Sequence, residues 1–125
     1  MNAIVIETYG DMTLVQTPFG NVVGKWCSDK PVALKKYILE LDCDDIVTPE
    51  NIQTTVTSKP FIANRTDRVT ICGLVEEIED GLMYVRIEGD LLMLDILPIS
   101  AYEKFINHYV QINLSSIHFY DTGLC

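Results

Sequence analysis

Arg68-Val69-Thr70-Ile71-Cys72-Gly73-Leu74-Val75-Glu76-Glu77-Ile78, Leu82-Met83-Tyr84-Val85-Arg86-Ile87 and Leu91-Leu92-Met93-Leu94-Asp95-Ile96-Leu97 are three apolar runs, and what separates them decides the fold. Between the first two stands Asp80-Gly81, a pair suited to the positive φ angles of a tight hairpin turn. Between the last two stands Gly89-Asp90, a second turn signal. Met83, Val85 and Ile87 alternate with Leu82, Tyr84 and Arg86, the period of two that puts successive side chains on opposite faces of a strand. Gly73 stands where a small barrel often bends. The stretch is a three-stranded meander.

Working towards the N-terminus, the same grammar recurs. Strands are expected over Ala3 to Thr8, Met12 to Thr17 and Val22 to Cys27, separated by Gly10-Asp11 and Pro18-Phe19-Gly20-Asn21. Over residues 31–41 two patterns compete. Tyr37, Leu39, Leu41 and Cys43 alternate as a strand, while Leu34, Tyr37, Ile38 and Leu41 form a helical stripe with Pro31 in its first turn. The strand is favoured, because a helix here would place Glu40, Asp42, Asp44 and Asp45 at the negative end of its own dipole. Asn51 to Thr57 reads as a β-branched strand closed by Pro60, and Phe61 to Asp67 as a loop.

Towards the C-terminus, Pro98 stops the third meander strand, and Ser100-Ala101-Tyr102-Glu103 has the form of a capping box opening a short helix to about Ile106. Tyr109 to Tyr120 reads as one returning strand. Three meander strands, a short helix and a further strand, over roughly residues 68–120, resemble the second part of an OB-type barrel. The N-terminal half would add strands to that barrel or form a facing sheet. No repeat with a period of 20–50 residues is visible. The fold class expected is mainly β, a single-domain antiparallel barrel or sandwich over residues 1–125, OB-like in its C-terminal half, with one short helix near residues 100–106.

The length of 125 residues suits one core, and 48% apolar with 22% charged residues is a globular composition. The net charge of −9 argues against nucleic-acid phosphates and anionic membrane surfaces as partners. The start, Met1-Asn2-Ala3-Ile4-Val5-Ile6-Glu7, has no basic leader, and no apolar run approaches the length of a membrane span, so a cytoplasmic protein is expected. Cys27, Cys43 and Cys72 sit in apolar runs as small buried hydrophobes, and Cys125, the last residue, lacks a prenylation pattern.

Chemistry-bearing patterns are few. Ser115, Ser116, His118 and Asp121 contain the residue types of a nucleophilic triad, yet no glycine elbow presents a nucleophile. Asp42-Cys43-Asp44-Asp45 invites a calcium reading, but Val47 and Gln53 stand where an EF-hand loop counted from Asp42 needs its glycine and its final glutamate. No Gly-rich phosphate loop and no Cys/His zinc spacing occurs. The expectation is therefore no enzyme, no cofactor and no metal.

Charge placement is the strongest functional signal. Residues 76–95 hold seven acids against one base, Arg86, and residues 40–50 hold five against none. If the two segments adjoin, Asp42, Asp44, Asp45, Glu50, Glu76, Glu77, Glu79 and Asp80 form an electronegative face, with Tyr84 as an aromatic anchor and Tyr102 and Tyr109 as further candidates. A small, acidic, β-rich chain with the stretches Glu76-Glu77-Ile78-Glu79-Asp80 and Asp42-Cys43-Asp44-Asp45 resembles the immunity proteins of bacterial toxin–immunity systems, including those of contact-dependent growth inhibition. That resemblance implies a cytoplasmic protein that covers a cognate toxin domain, often a basic nuclease, its carboxylates standing in for phosphates. Two other readings are a secretion chaperone or adaptor, and an OB-like binder of oligosaccharide, peptide or single-stranded nucleic acid, for which Lys25, Lys30, Lys35 and Lys36 would form the groove.

Overall fold

Residues 1–123 are described by a computed structural model, so Cys125 lies outside the described residues. Its first half opens with the expected meander: β1 (Asn2–Tyr9), β2 (Met12–Thr17) and β3 (Gly20–Trp26). After a turn, β4 (Lys36–Asp42) pairs antiparallel with β1, and the strand reading of residues 36–42 holds. Then come β5 (Ile46–Val47), a 3-10 turn over Pro49–Asn51, β6 (Ile52–Thr54) and β7 (Phe61–Asn64). The second half repeats the plan with β8 (Val69–Glu79), β9 (Leu82–Ile87), β10 (Asp90–Ile96), two 3-10 turns, β11 (Tyr109–Leu114) and β12 (His118–Asp121).

The two halves correspond in strand bounds and register, residue n of the first meander matching residue n + 70 of the second. β1 carries a bulge between Val5 and Glu7, and β8 carries one between Val75 and Glu77. Thr17 pairs with Gly20 as Ile87 pairs with Asp90. At each bulge the following strand enters through a residue at positive φ, Leu34 at 65° and Asn107 at 68°. Their N–H groups donate to the carbonyls of Val5 and Val75, both at 2.7 Å.

Closure exchanges strands between the halves. β12, from the second half, lies parallel on β3 and antiparallel on β4, closing the barrel β1-β2-β3-β12-β4. Its counterpart in the first half is β5 with β6, one closing strand interrupted by the 3-10 turn. β5 lies parallel on β10 and β6 antiparallel on β11, at the two edges of the order β5-β10-β9-β8-β11-β6. The closed order, with the third strand and the closing strand parallel, is that of an OB barrel, and the second sheet follows the same order. The N-terminal half thus builds most of a barrel that the second half closes with β12, and in turn lends β5 and β6 to the second sheet.

Period-two burial fills both barrels from one continuous core. In the first, Trp26 meets Tyr37 edge to face, ring centres 4.9 Å apart, and the exchanged strand contributes Phe119 at 6.5 Å. In the second, Ile71, Val75, Met83, Val85, Leu94 and Ile112 are fully buried. β3 and the exchanged strand approach closely at Gly24, where a Cβ would stand 2.6 Å from the Ile117 carbonyl oxygen and from the Phe119 ring.

Four expectations are corrected. Phe61–Asn64 is a strand, not a loop, because the turn closed by Arg65 N–H on the Arg68 carbonyl, 2.7 Å, folds it back on Val69–Cys72. The β-branched run from Asn51 to Thr57 keeps only Ile52–Thr54 as strand, since it leaves β11 to cross towards β8. Tyr109–Tyr120 is two strands, because residues 115–117 carry the chain from one barrel to the other. The short helical segment is a pair of 3-10 turns, Ile99–Ala101 and Glu103–Phe105, and neither has a side-chain cap, so the capping box is not formed.

Candidate partner-binding face

On the second barrel the outward residues of four strands form rows. Tyr109, Leu74, Arg86 and Leu91 lie side by side across β11, β8, β9 and β10. Glu77, Tyr84 and Met93 form the next row, and Glu79, Leu82, Asp95 and Ile46 the one beyond. Leu91, Met93 and Ile46 are exposed although their neighbours Leu92, Leu94 and Val47 are buried, so β10 and β5 present apolar side chains to both core and solvent. From the first barrel, Glu40, Leu41 and Asp42 of β4 and Tyr120 of β12 close with Leu91 and Met93 around a shallow hollow of about 270 Å³. The face therefore spans both barrels: an apolar strip of Tyr84, Leu91, Met93 and Tyr120 bordered by carboxylates.

The sequence candidates separate into two groups. Glu76, Glu77, Glu79, Asp80 and Tyr84 share the β8–β9 part of this face, and Asp42 reaches it at the hollow. Asp45 does not serve as a free acid, whereas Asp44 stays exposed. Asp45 accepts hydrogen bonds from the Ser115 N–H, 2.6 Å, and the Ser115 hydroxyl, pinning the segment between β11 and β12. Asp44 lies 3.6 Å from Nε2 of His118. Glu50 sits on the 3-10 turn between β5 and β6, where a hydrogen bond with Thr48 lowers its carboxyl pKa and its charge acts on Tyr102. Tyr102 is fully buried, its hydroxyl 2.8 Å from the Val47 carbonyl and 2.7 Å from that of Leu97; it anchors the exchanged strand, not a partner. Tyr109 is half-buried on the same outward rows as Tyr84.

Electrostatics make the face incomplete. Arg86, the cation on its outward rows, is engaged in a two-point contact with Glu76, Nε to Oε2 at 3.2 Å and Nη2 to Oε1 at 3.0 Å, which raises the guanidinium pKa, and the N-terminal ammonium is held by Asp90 at 2.7 Å. Glu77, Glu79 and Asp80 lack such a partner there. A hydrogen bond with Glu77 and repulsion from Glu77 and Asp80 push the Glu79 carboxyl up, the mark of like charges held together in water.

Sequence reasoning missed Leu91, Met93 and Tyr120, although Glu40 and Asp95 belonged to its acidic segments. The signal was the unbroken apolar run Leu91–Leu94 between Asp90 and Asp95, which puts hydrophobes on both faces of one strand. Two of the lysines of the nucleic-acid reading line different hollows, Lys30 one beside Trp26 and Lys36 another beside Ile4 and Ile38. Ser115 is held by Asp45, outside any nucleophilic arrangement with His118. Among the described residues no three His, Cys, Asp or Glu side chains converge as metal ligands, and no helix is long and apolar enough to cross a membrane.

Comparison with family models, with curated proteins and with solved structures found no match to this chain. The class that can be stated is structural: a mainly β protein of one closed five-stranded barrel and a second sheet of the same strand order, the two exchanging strands, with an acidic face around an apolar centre.

Proposed function

We propose that this chain is a non-enzymatic protein-binding module that seats a basic partner on the face spanning its two barrels, and that it acts as an immunity-type inhibitor of a toxin domain. One observation carries the reading. Exposed Leu91, Met93 and Tyr120 lie among Glu40, Asp42, Glu77, Glu79, Asp80 and Asp95, while the neighbouring cations, Arg86 and the N-terminal ammonium, are already paired with Glu76 and Asp90. Apolar anchors ringed by unpaired charge of one sign are what a partner of opposite charge buries, with the ring steering approach and the anchors holding the complex. A Lys- and Arg-rich nuclease surface, built to contact phosphates, is complementary to such a ring.

The test is co-expression of the tagged protein with the product of its neighbouring gene, followed by mass spectrometry of the purified complex and a growth assay. The expected result is a one-to-one complex with a basic protein that arrests growth when expressed alone and not when co-expressed. A partner without toxicity would remove the immunity role. No complex at low salt would remove the binding face as well.

A further inference from the structure

The near-repetition of the two barrels exposes a difference between them. In the second barrel, β6 pairs with the outer edge of β11, whereas β7 pairs with the opposite edge of β8. Residues 55–60 must therefore cross the β11–β8 pair. The inner face is filled by Val69, Ile71, Val75, Val110 and Ile112, so the crossing runs over the outer face. Cys72 points outward there and is nonetheless 0% exposed, and Thr70 is 4% exposed. Burial accordingly pushes the Cys72 thiol pKa up.

The matching surface of the first barrel, across β4, β1 and β2, has no described segment over it. By the 70-residue correspondence Cys72 becomes Asn2, which is exposed, and Leu74 becomes Ile4. In place of a crossing chain there is a cleft of about 720 Å³, lined among others by Asn2, Ile4, Gln16, Pro18, Lys36 and Ile38. That volume lies in the range of ligand-binding clefts. Ile4, Pro18 and Ile38 offer apolar contact, while the Asn2 and Gln16 amides can donate to and accept from a peptide backbone. In a chain with 18 acids and 9 Lys and Arg residues, the sole charged side chain in the lining is a cation, Lys36.

We propose that this cleft binds an extended peptide segment of a partner protein, lying across β4, β1 and β2 as residues 55–60 lie across β11 and β8, with a carboxylate side chain placed against Lys36. The internal copy supplies the geometry of the occupant, and the isolated lysine supplies its charge. The Asn2 and Gln16 side-chain amides and the apolar contacts give affinity for any extended segment, and the ion pair selects among segments. The inference does not depend on the acidic face, which lies on the outward rows of the other barrel.

The test starts by selecting a random phage-displayed peptide library on the full-length protein, then titrates the best synthetic peptide into isotope-labelled protein by NMR. The expected result is an acid-containing peptide that shifts the amides of Asn2, Ile4, Gln16 and Ile38. Its affinity should fall about tenfold on Lys36→Glu, an exposed position where the fold tolerates change, and recover when the peptide's acid is replaced by lysine. A second variant, Ile38→Trp, should fill the cleft without adding a charge to it. The proposal is overturned if no peptide is enriched, if shifts fall elsewhere, or if Lys36→Glu binds equally well. It is also overturned if the same amides shift with protein concentration alone, since the occupant would then be a second copy of the chain.

Discussion

Tyr102 shows how much a single side chain does here. Its one hydroxyl hydrogen is shared between the carbonyls of Val47, on the strand lent by the first half, and Leu97, at the end of the strand that receives it. Tyr102→Phe keeps the ring packed against Phe105 but removes the donor of the Leu97 carbonyl and leaves the Val47 carbonyl with the Leu97 N–H alone. The expected loss is about 1–2 kcal/mol in chemical denaturation, and an unchanged midpoint would show that water replaces the hydroxyl. The cysteines make a second residue-scale test. Burial, with the charges of Asp45 and Asp42 adding to it, pushes the Cys43 thiol up to about 12, and burial alone raises Cys72. The thiolate is the reactive form, so Cys43 and Cys72 should resist iodoacetamide in the native protein and react once it is unfolded, whereas half-buried Cys27 should label before either of them. Rapid native labelling of Cys43 at neutral pH would contradict its enclosed position.

Among the elements, the meanders were legible and the exchange was not. Alternation and the turns at Gly10-Asp11, Asp80-Gly81 and Gly89-Asp90 placed six strands, because hairpins are local and their turn chemistry is written in adjacent residues. The closing strands pair with residues far along the chain, β12 with β3 and β5 with β10, and nothing near them in sequence announces that. The 70-residue correspondence is equally hidden: over residues 2–26 and 72–96 the identical pairs are Val5/Val75, Glu7/Glu77 and Val15/Val85, since barrels conserve inward volume and bulge position more than residue type. For the site, acids in turns could be read directly, but which of them meet depended on the crossover, and Asp45 and Glu50 were drawn into structural contacts. Gly24 tests the exchange itself. Gly24→Ala sets a methyl against the Ile117 carbonyl and the Phe119 ring, so β12 must move off β3. A loss of about 1–3 kcal/mol is expected, with hydrogen exchange accelerating first in His118–Asp121; a neutral substitution would mean that the two strands are not so close.

At the scale of the whole molecule, each barrel is completed by the other half, so neither core closes without its partner. The protein should then unfold in one calorimetric transition whose van't Hoff and calorimetric enthalpies agree. Two separated transitions would show that the barrels are independent and the exchanged strands incidental. The same arrangement holds the proposed binding face in place. Leu91 and Met93 belong to the second barrel and Glu40, Asp42 and Tyr120 to strands of the first, and their meeting requires both barrels docked. Acids and anchors are then preorganised, and little ordering opposes binding.

The measurement that bears most directly on this face is the affinity of the co-purified partner across a series of salt concentrations. It should be made on the wild-type protein, on Glu77→Lys/Glu79→Lys/Asp80→Lys and on Met93→Asp. Wild-type affinity is expected to fall steeply with salt. The triple reversal should weaken binding at least tenfold and flatten that dependence, and Met93→Asp should speed dissociation with little effect on association. Unchanged affinity in both variants, with the fold intact by circular dichroism, would contradict the account and return these acids to the role of solvated strand ends.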